Sequence, residues 1–252
     1  MPTKAFQRFN ARVTAYDSDL ELADVLIRGF LRTPNSPSSV GEALDAQQDT
    51  HVILHSRVNS RASRNILGRH LKKTLYGAFI KDIYEDFADY VSSSLSRAAL
   101  AGIDPARFVG EIKLDLHAVE IIAAGSWENV VRLMSDKIFR ALENERSTIV
   151  LIDKISRRLG LNLDQQILDA AMPYLDARHI LVHRDGLSDE IYRNKYPLVP
   201  LQGDQIVLNF ALISAGRSTV RALARHIDDQ LIAAGLVRAQ DLVGGVAARA
   251  VP

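Results

Sequence analysis

The stretch LKKTLYGAFIKDIYEDFADYVSSSL, residues 71–95, decides the fold class of this chain. Apolar side chains recur along it every fourth residue, at Leu75, Phe79, Ile83, Phe87 and Val91. That spacing places them on one stripe of a helix, and such a stripe is buried against other helices. Gly102 and Pro105 follow, and we expect them to end the helix.

Most of the remaining chain has the same helical period. Helices are predicted at 6–31, at 40–101 with an interruption at 59–65, at 125–160, at 161–183 around Pro173 and at 211–237. Residues 33–39 read as a loop, and residues 111–122 fit either a strand or a buried helix. The prediction is a mainly all-α protein, an up-and-down helical bundle with a small β-hairpin near 197–209.

Length and composition limit the classes of protein that this chain can belong to. It has 252 residues, 47% of them hydrophobic, which allows a sizeable core, and we predict one domain at 1–235. Whether the tail at 236–252 is ordered stays open. The net charge is +1, so the whole chain exerts no strong pull on nucleic acid. The absence of cysteine excludes disulfides, thiolate zinc sites and cysteine nucleophiles.

Neither a membrane span nor a signal peptide is predicted. The chain has no run of about 18 apolar residues, which a membrane-spanning helix requires. The amino-terminal stretch MPTKAFQRFNARVTAYDSD also lacks the apolar segment of a secretory signal. The expectation is a soluble, cytoplasmic protein.

A basic segment covers residues 57–81, with seven Lys or Arg and no Asp or Glu. Arg57, Arg61, Arg64 and Lys72 would share one stripe if this segment were a single helix. We predict that these four residues contact RNA phosphates, with binding that weakens as salt is added. The alternative is a solvated face paired with acidic residues elsewhere.

Two further groups of polar residues have the composition of a site. His51 and His55 lie one helical turn apart, a spacing that suits zinc, but no third ligand is near them in the sequence. A carboxylate cluster follows the basic segment and suits either metal binding or a polar helix face, of which we favour the face: Asp82, Glu85, Asp86 and Asp89.

The stretch RHILVHRDG, residues 178–186, contains the strongest candidate for a catalytic site. An Arg and a His at this spacing occur elsewhere by chance, as in Arg221–His226, so the spacing alone carries no information. The position is informative, because the Asp-Gly pair at 185–186 predicts that a helix ends here. Residues 180–182 are apolar and are expected to anchor the helix end in the core. Arg178, His179 and His183 would then be held on a rigid base.

At these residues the chain resembles the HEPN superfamily of helical proteins, many of which are ribonucleases. The family motif is an Arg, a polar residue and a His after four to six intervening residues, matched here by Arg178, His179 and His183. The succession of helices resembles the family over residues 70–232, and residues 1–60 form a helical extension outside this common core.

The resemblance implies a four-helix bundle that forms a homodimer, with two copies of the motif meeting at a two-fold axis. It also implies RNA cleavage through the 2′-hydroxyl without metal or other cofactor. His183 would act as general base or acid, Arg178 would stabilise the transition state, and His179 would position one of them. Such an enzyme would be a toxin or defence effector with RNA as its substrate and an antitoxin or other protein as its partner.

Two alternatives stay open. In the first, the chain is a non-catalytic helical module that binds RNA, a nucleotide or a partner protein. In the second, the motif is purely structural. In the structural alternative Arg178 pairs with Asp176 or Asp185, and His183 is a satisfied histidine at a helix end.

Overall fold

The computed structural model describes residues 1–104, 108–109, 114–143 and 148–245. Four helices precede the middle of the chain: α1 (Lys4–Arg32), α2 (Val40–Ala43), α3 (Val52–His55) and α4 (Arg61–Leu100). The next four are α5 (Ala118–Ala123), α6 (Trp127–Glu143), α7 (Thr148–Leu159) and α8 (Gln165–His183). They are followed by α9 (Glu190–Lys195), β1 (Leu201–Gln202), β2 (Gln205–Ile206), α10 (Phe210–Ala233) and a short 3₁₀ helix (Ala239–Asp241).

The prediction of a mainly all-α fold with one small hairpin is confirmed. The two strands pair antiparallel, with Leu201 opposite Ile206 and Gln202 opposite Gln205. Gly203 occupies the turn with a positive φ of 60°, a conformation that glycine adopts without a steric penalty. Nowhere in the described part of the chain is a helix long and apolar enough to cross a membrane.

Helix α4 lies at the centre of a four-helix bundle and contacts α1, α8 and α10. It runs antiparallel to α1, because Phe6 contacts Tyr90 while Tyr16, further along α1, contacts Phe79. Helix α10 in turn runs antiparallel to α1. At one end Thr3 donates to Asp228, and almost four turns further along α1 Asp17 accepts from Arg221 at 3.1 Å.

Helix α8 completes the bundle and runs antiparallel to α4. Arg178 lies over the ring of Tyr84, while Lys73, earlier in α4, reaches Asp185 just beyond the end of α8. Helices α6 and α7 pack on α4 from outside these four. Pro173 lies within α8, which continues past it as one helix. The bundle therefore alternates in direction, and the turn that ends α8 lies beside the first third of α4, where Asp185 contacts Lys73.

The apolar face of α1 belongs to the central core. Phe9, Val13 and Leu20 are all buried in the same cluster as the stripe of α4. Helix α1 lies outside the region 70–232 in which the chain resembles the family, and it packs as one of the four bundle helices. The apolar residues of α1 recur as regularly as those of α4. Their spacing alone, however, does not reveal which helices the apolar face packs against.

Helix α4 begins earlier than the sequence analysis predicted. Ser60 caps it by accepting from the backbone N–H of Ser63 at 3.1 Å, so the helix starts at Arg61, inside the predicted interruption at 59–65. The non-helical stretches are instead residues 44–51 and 56–60. Asn59 holds the entry to the helix, since its side-chain amide donates to the carbonyls of Pro34 and Pro37.

Further predicted boundaries of helices and loops fall on residues that the structure describes. The predicted loop at 33–39 is present apart from a bridge at Ser39, and Ser126 caps α6 by accepting from Asn129 N–H. In the ambiguous segment 111–122, residues 111–113 lie outside the described residues and residues 118–122 are helical. Of the tail, residues 246–252 also lie outside them, whereas Leu242 pairs with Thr3 and Asp241 is buried.

Candidate functional site

The end of α8 is fixed by a turn in which two consecutive residues have positive φ. Asp185 has a φ of 52° and Gly186 a φ of 84°. The backbone N–H groups of Arg184 and Gly186 both donate to the carbonyl of Ile180, which closes the helix. The predicted helix end is therefore confirmed. Ile180 is buried as expected, but Val182 is 42% exposed, so the prediction that all three apolar residues anchor the helix is wrong for Val182.

His179 and His183 project side by side from the exposed side of α8. Both side chains are exposed, and their ring centroids are 4.8 Å apart with an interplanar angle of 47°. Val182 lies on the same side, since residues three and four apart on a helix are neighbours. Among the described residues, neither imidazole has a hydrogen-bond partner. The helix end thus presents two free imidazoles around an exposed apolar side chain.

Arg178 lies beside this pair on the flank of α8 that faces α4. Its guanidinium stacks over the ring of Tyr84 at 4.8 Å from the centroid, and its Nε is buried without a hydrogen-bond partner. Stacking on an aromatic ring fixes the guanidinium plane and leaves the N–H donors at its edge available.

The acidic residues proposed as partners for Arg178 bind other cations. Asp176 accepts from Lys195 at 3.0 Å and from the hydroxyl of Tyr196. Asp185 forms an ion pair with Lys73 at 2.9 Å. Arg178 therefore does not form the ion pair with Asp176 or Asp185 that the purely structural alternative predicts.

Partial burial and the charges around the helix end favour a neutral His179. Burial of the ring lowers its pKa below the usual range, and the nearby charges of His183, Arg184 and Arg178 lower it further, against a smaller opposite effect of Asp176. Because the unfolded chain then binds the proton more readily, His179 makes the fold less stable as the pH falls through the range between the two pKa values. A neutral imidazole near pH 7 can accept a proton.

We expect His179 to titrate below about pH 6.5, the value of an unperturbed histidine. Two-dimensional NMR of the imidazole C–H groups measures this midpoint directly. In His183→Gln the midpoint of His179 should rise, because one of the charges that lower it is gone. Replacing the remote His226 by Gln should leave it unchanged. A His179 midpoint at or above the unperturbed value in the native protein would contradict this electrostatic description.

The basic segment does not form the continuous stripe that the sequence analysis predicted. Arg57 lies between α3 and α4, so it does not share a helix with Arg61 and Lys72. Arg64 is only 4% exposed, and its guanidinium donates to Asn59 and Asn35 at 2.6 and 2.9 Å. The prediction that Arg64 contacts RNA is therefore wrong, because this side chain holds the 33–39 loop against α4.

One basic residue that the sequence analysis did not select lies close to the motif. Lys73 extends from α4 and pairs with Asp185 in the turn that ends α8. Arg184, the next residue after His183, pairs with Asp189 at 2.6 Å. The pairing of Lys73 joins residues more than one hundred positions apart, and no local pattern in the sequence indicates it.

The carboxylate cluster of α4 is divided between the bundle interior and the surface. Asp86 is buried and accepts from Arg12 at 2.6 Å, and the exposed Asp89 accepts from the same guanidinium at 3.3 Å. Burial, with the charge of Glu85, raises the pKa of Asp82. The favoured interpretation of a solvated helix face is thus wrong for Asp86, which connects α4 to α1.

The histidines of the HVILH stretch have structural partners. His55 makes a 2.8 Å hydrogen bond to the carbonyl of Ala46, and His51 precedes the first residue of α3. Within the described ranges, no three His, Cys, Asp or Glu side chains come together as a metal site would require.

Comparison with known proteins does not assign the chain to a family. No protein-family model matches it, and neither a curated protein nor a solved structure matches it. Its class therefore follows from the structure alone: a mainly α-helical protein built on a four-helix bundle, with two exposed histidines and a stacked arginine at one helix end.

Proposed function

We propose that this protein is a metal-independent endoribonuclease of the HEPN type, with Arg178 and His183 at its active site. The observation that carries the proposal is the free state of the three motif side chains. Arg178 is fixed by stacking yet has no ion pair or hydrogen bond among the described residues, and both imidazoles beside it are exposed. A catalytic group needs a defined position and an uncommitted polar atom, and these residues combine the two.

The proposed chemistry uses the 2′-hydroxyl of RNA as the nucleophile. A neutral imidazole removes the 2′ proton, the 2′ oxygen attacks the adjacent phosphorus, and the bond to the 5′ oxygen breaks. A protonated imidazole donates a proton to that leaving oxygen. The products are a 2′,3′-cyclic phosphate and a free 5′-hydroxyl. Arg178 would donate hydrogen bonds to the phosphorane oxygens, where negative charge accumulates.

Two imidazoles in different protonation states are required, and a two-fold dimer would supply two copies of His183. One copy would act as the base and the other as the acid, while His179 would position its neighbour. Val182 supports an interface at this face, because an exposed apolar side chain beside two polar ones suits the core of a contact. The exposed Leu187, in the turn that follows, would extend that contact.

The RNA strand would extend from the motif across α4. Lys73 stands nearest, and the exposed Arg57 and Arg61 with the half-buried Lys72 lie further along the same end of the molecule. Their contacts would be to phosphates, which carry no base preference. A role as toxin or defence effector, held inactive by an antitoxin or other partner, follows from the proposed activity as a further expectation.

The direct test is incubation of the purified protein with a structured RNA in the presence of EDTA. We expect cleavage that is unaffected by the chelator and leaves 2′,3′-cyclic phosphate ends, detected by mass spectrometry. An RNA with a 2′-deoxy residue at the cleaved position should stay intact there. Binding without any cleavage would favour the non-catalytic RNA-binding module, and cleavage of the 2′-deoxy position would exclude the proposed mechanism.

A further inference from the structure

A second polar site lies at the opposite end of α4 from the motif. Four separate parts of the chain enclose a cavity of about 470 Å³: α1, the last third of α4, α6 and the turn around the 3₁₀ helix. Such a volume is in the range of small-molecule sites. Its wall is mainly polar and contains four arginines, four carboxylates and three serines: Arg8, Arg97, Arg132, Arg238, Asp89, Glu128, Asp136, Asp241, Ser92, Ser93 and Ser96.

Part of this wall is a closed ion-pair network that holds the carboxy-terminal turn in place. Asp241 pairs with Arg97 of α4 at 3.2 Å and with Arg238 at 2.7 Å. Arg238 also reaches Glu128 of α6 at 3.4 Å. Each of these four charged groups has an ion-pair partner, although the buried Nη1 of Arg97 makes no hydrogen bond. We therefore assign the four groups to the wall of the cavity rather than to the ligand.

Two guanidinium groups of the wall have no partner in the described part of the chain. Arg8 and Arg132 form no ion pair or hydrogen bond there, and neither does the carboxylate of Asp136. Asp89 shares the single charge of Arg12 with the buried Asp86, so it keeps part of its negative charge. The four arginines and four carboxylates of the wall balance formally, and the site therefore offers two uncommitted donor groups rather than an excess of charge.

Three hydroxyl groups stand in the same wall without partners in the described part of the chain. Ser92, Ser93 and Ser96 follow one another on the face of α4 that lines the cavity. A serine inside a helix commonly donates to the carbonyl four residues earlier, as Ser135 and Ser156 do here. The cavity serines make no such bond, so their hydroxyls are available to a ligand.

We propose that this cavity binds a small phosphate monoester. Arg8 and Arg132 would hold the phosphate from two different helices, because a guanidinium is a planar donor fork that matches phosphate oxygens. The serine hydroxyls and the carboxylate of Asp136 would form hydrogen bonds with hydroxyl groups on the rest of the ligand. The polar wall disfavours an apolar ligand, and a concave site closed by four chain segments disfavours a long RNA strand.

The proposed ligand would also connect segments of the chain that otherwise contact one another only around the rim of the cavity. Arg8 lies in the first two turns of α1, Arg132 lies in α6, and the carboxy-terminal turn closes the site between them. A ligand that binds both arginines stabilises the folded state in proportion to its concentration. This effect is independent of the proposed ribonuclease activity.

The test measures thermal unfolding and binding with adenosine 5′-monophosphate, inorganic phosphate and adenosine at equal ionic strength. We expect both phosphate compounds to raise the Tm, and adenosine, which lacks the phosphate, to have no effect. In calorimetry, Arg132→Gln should weaken binding of the monophosphate by about 10-fold or more, the loss of one charge-assisted hydrogen-bond donor group. Arg8→Gln should act likewise.

Arg140→Gln is the matched control, since Arg140 is exposed on α6 two turns beyond Arg132 and outside the cavity. It should bind the monophosphate as the native protein does, and so should His183→Ala. The proposal is overturned if neither phosphate compound binds, if Arg8→Gln/Arg132→Gln binds the monophosphate as tightly as the native protein, or if only an RNA oligomer without terminal phosphate raises the Tm.

Discussion

His183→Ala is expected to lower the rate of RNA cleavage by about 10²–10⁴-fold, the usual contribution of a general acid or base. Arg178→Ala should lower it by about 10²–10³-fold, because the developing charge on the phosphorane loses a preorganised donor. Neither change removes a buried apolar contact of the motif, since His183 is exposed and Arg178 is half-buried. The rates come from single-turnover cleavage of an end-labelled RNA, with circular dichroism to verify folding.

His51→Ala and Arg140→Ala are matched controls for these substitutions. Both side chains are exposed, and both lie outside the proposed site. Each should cleave RNA within a few-fold of the native rate. Arg178→Lys separates charge from shape: a lysine keeps the charge but loses the planar fork, so its rate should remain well below the native one. Undiminished cleavage by Arg178→Ala/His183→Ala would show that the activity belongs to another site or to a contaminant.

Leu20→Ala is expected to lower the free energy of unfolding by about 2–5 kcal/mol, because it leaves a cavity in the core between α1 and α4. Leu20 is fully buried in the central cluster, whereas Leu22, two residues along the same helix, is 57% exposed. Leu22→Ala should therefore change the free energy of unfolding by only about 0.5 kcal/mol. Urea unfolding followed by circular dichroism measures both.

The pair of leucines tests whether α1 is part of the bundle. If α1 were an extension outside a core formed by the rest of the chain, the two variants would differ little. Equal and small losses for Leu20→Ala and Leu22→Ala would contradict the packing described for α1. A large loss for the buried position alone agrees with a bundle that cannot form without its first helix.

The period of the apolar residues was sufficient to predict the helices and much of their buried faces. Ile83, Phe87 and Val91 of the opening stretch are buried, as their spacing predicted. Local turn signals also gave the end of α8, because Asp-Gly favours the positive φ values that stop a helix. These features depend on residues that are near one another in the sequence.

Features that depend on distant residues were not predictable. Arg64 resembled a surface cation until the fold placed Asn35 and Asn59 against it. The ion pair of Lys73 with Asp185 and the polar cavity beside α6 both join segments that come together only in the bundle. Val182 shows the converse, since its apolar character suggested burial, whereas its side chain lies on the exposed side of α8.

The central claim is that two copies of the motif meet at a two-fold axis, and cross-linking at Val182 tests it most directly. The native chain has no cysteine, so Val182→Cys introduces a single thiol beside the two imidazoles. In the proposed dimer this thiol faces its copy, and a bismaleimide with a reach on the order of 10 Å should join the two chains.

Val119→Cys is the control, because Val119 is 76% exposed on α5, away from the motif. We predict a covalent dimer for Val182→Cys in high yield and little or none for Val119→Cys, at a concentration where sedimentation detects a dimer. A protein that remains monomeric, or a dimer in which Val182→Cys cross-links no better than Val119→Cys, would contradict the composite active site.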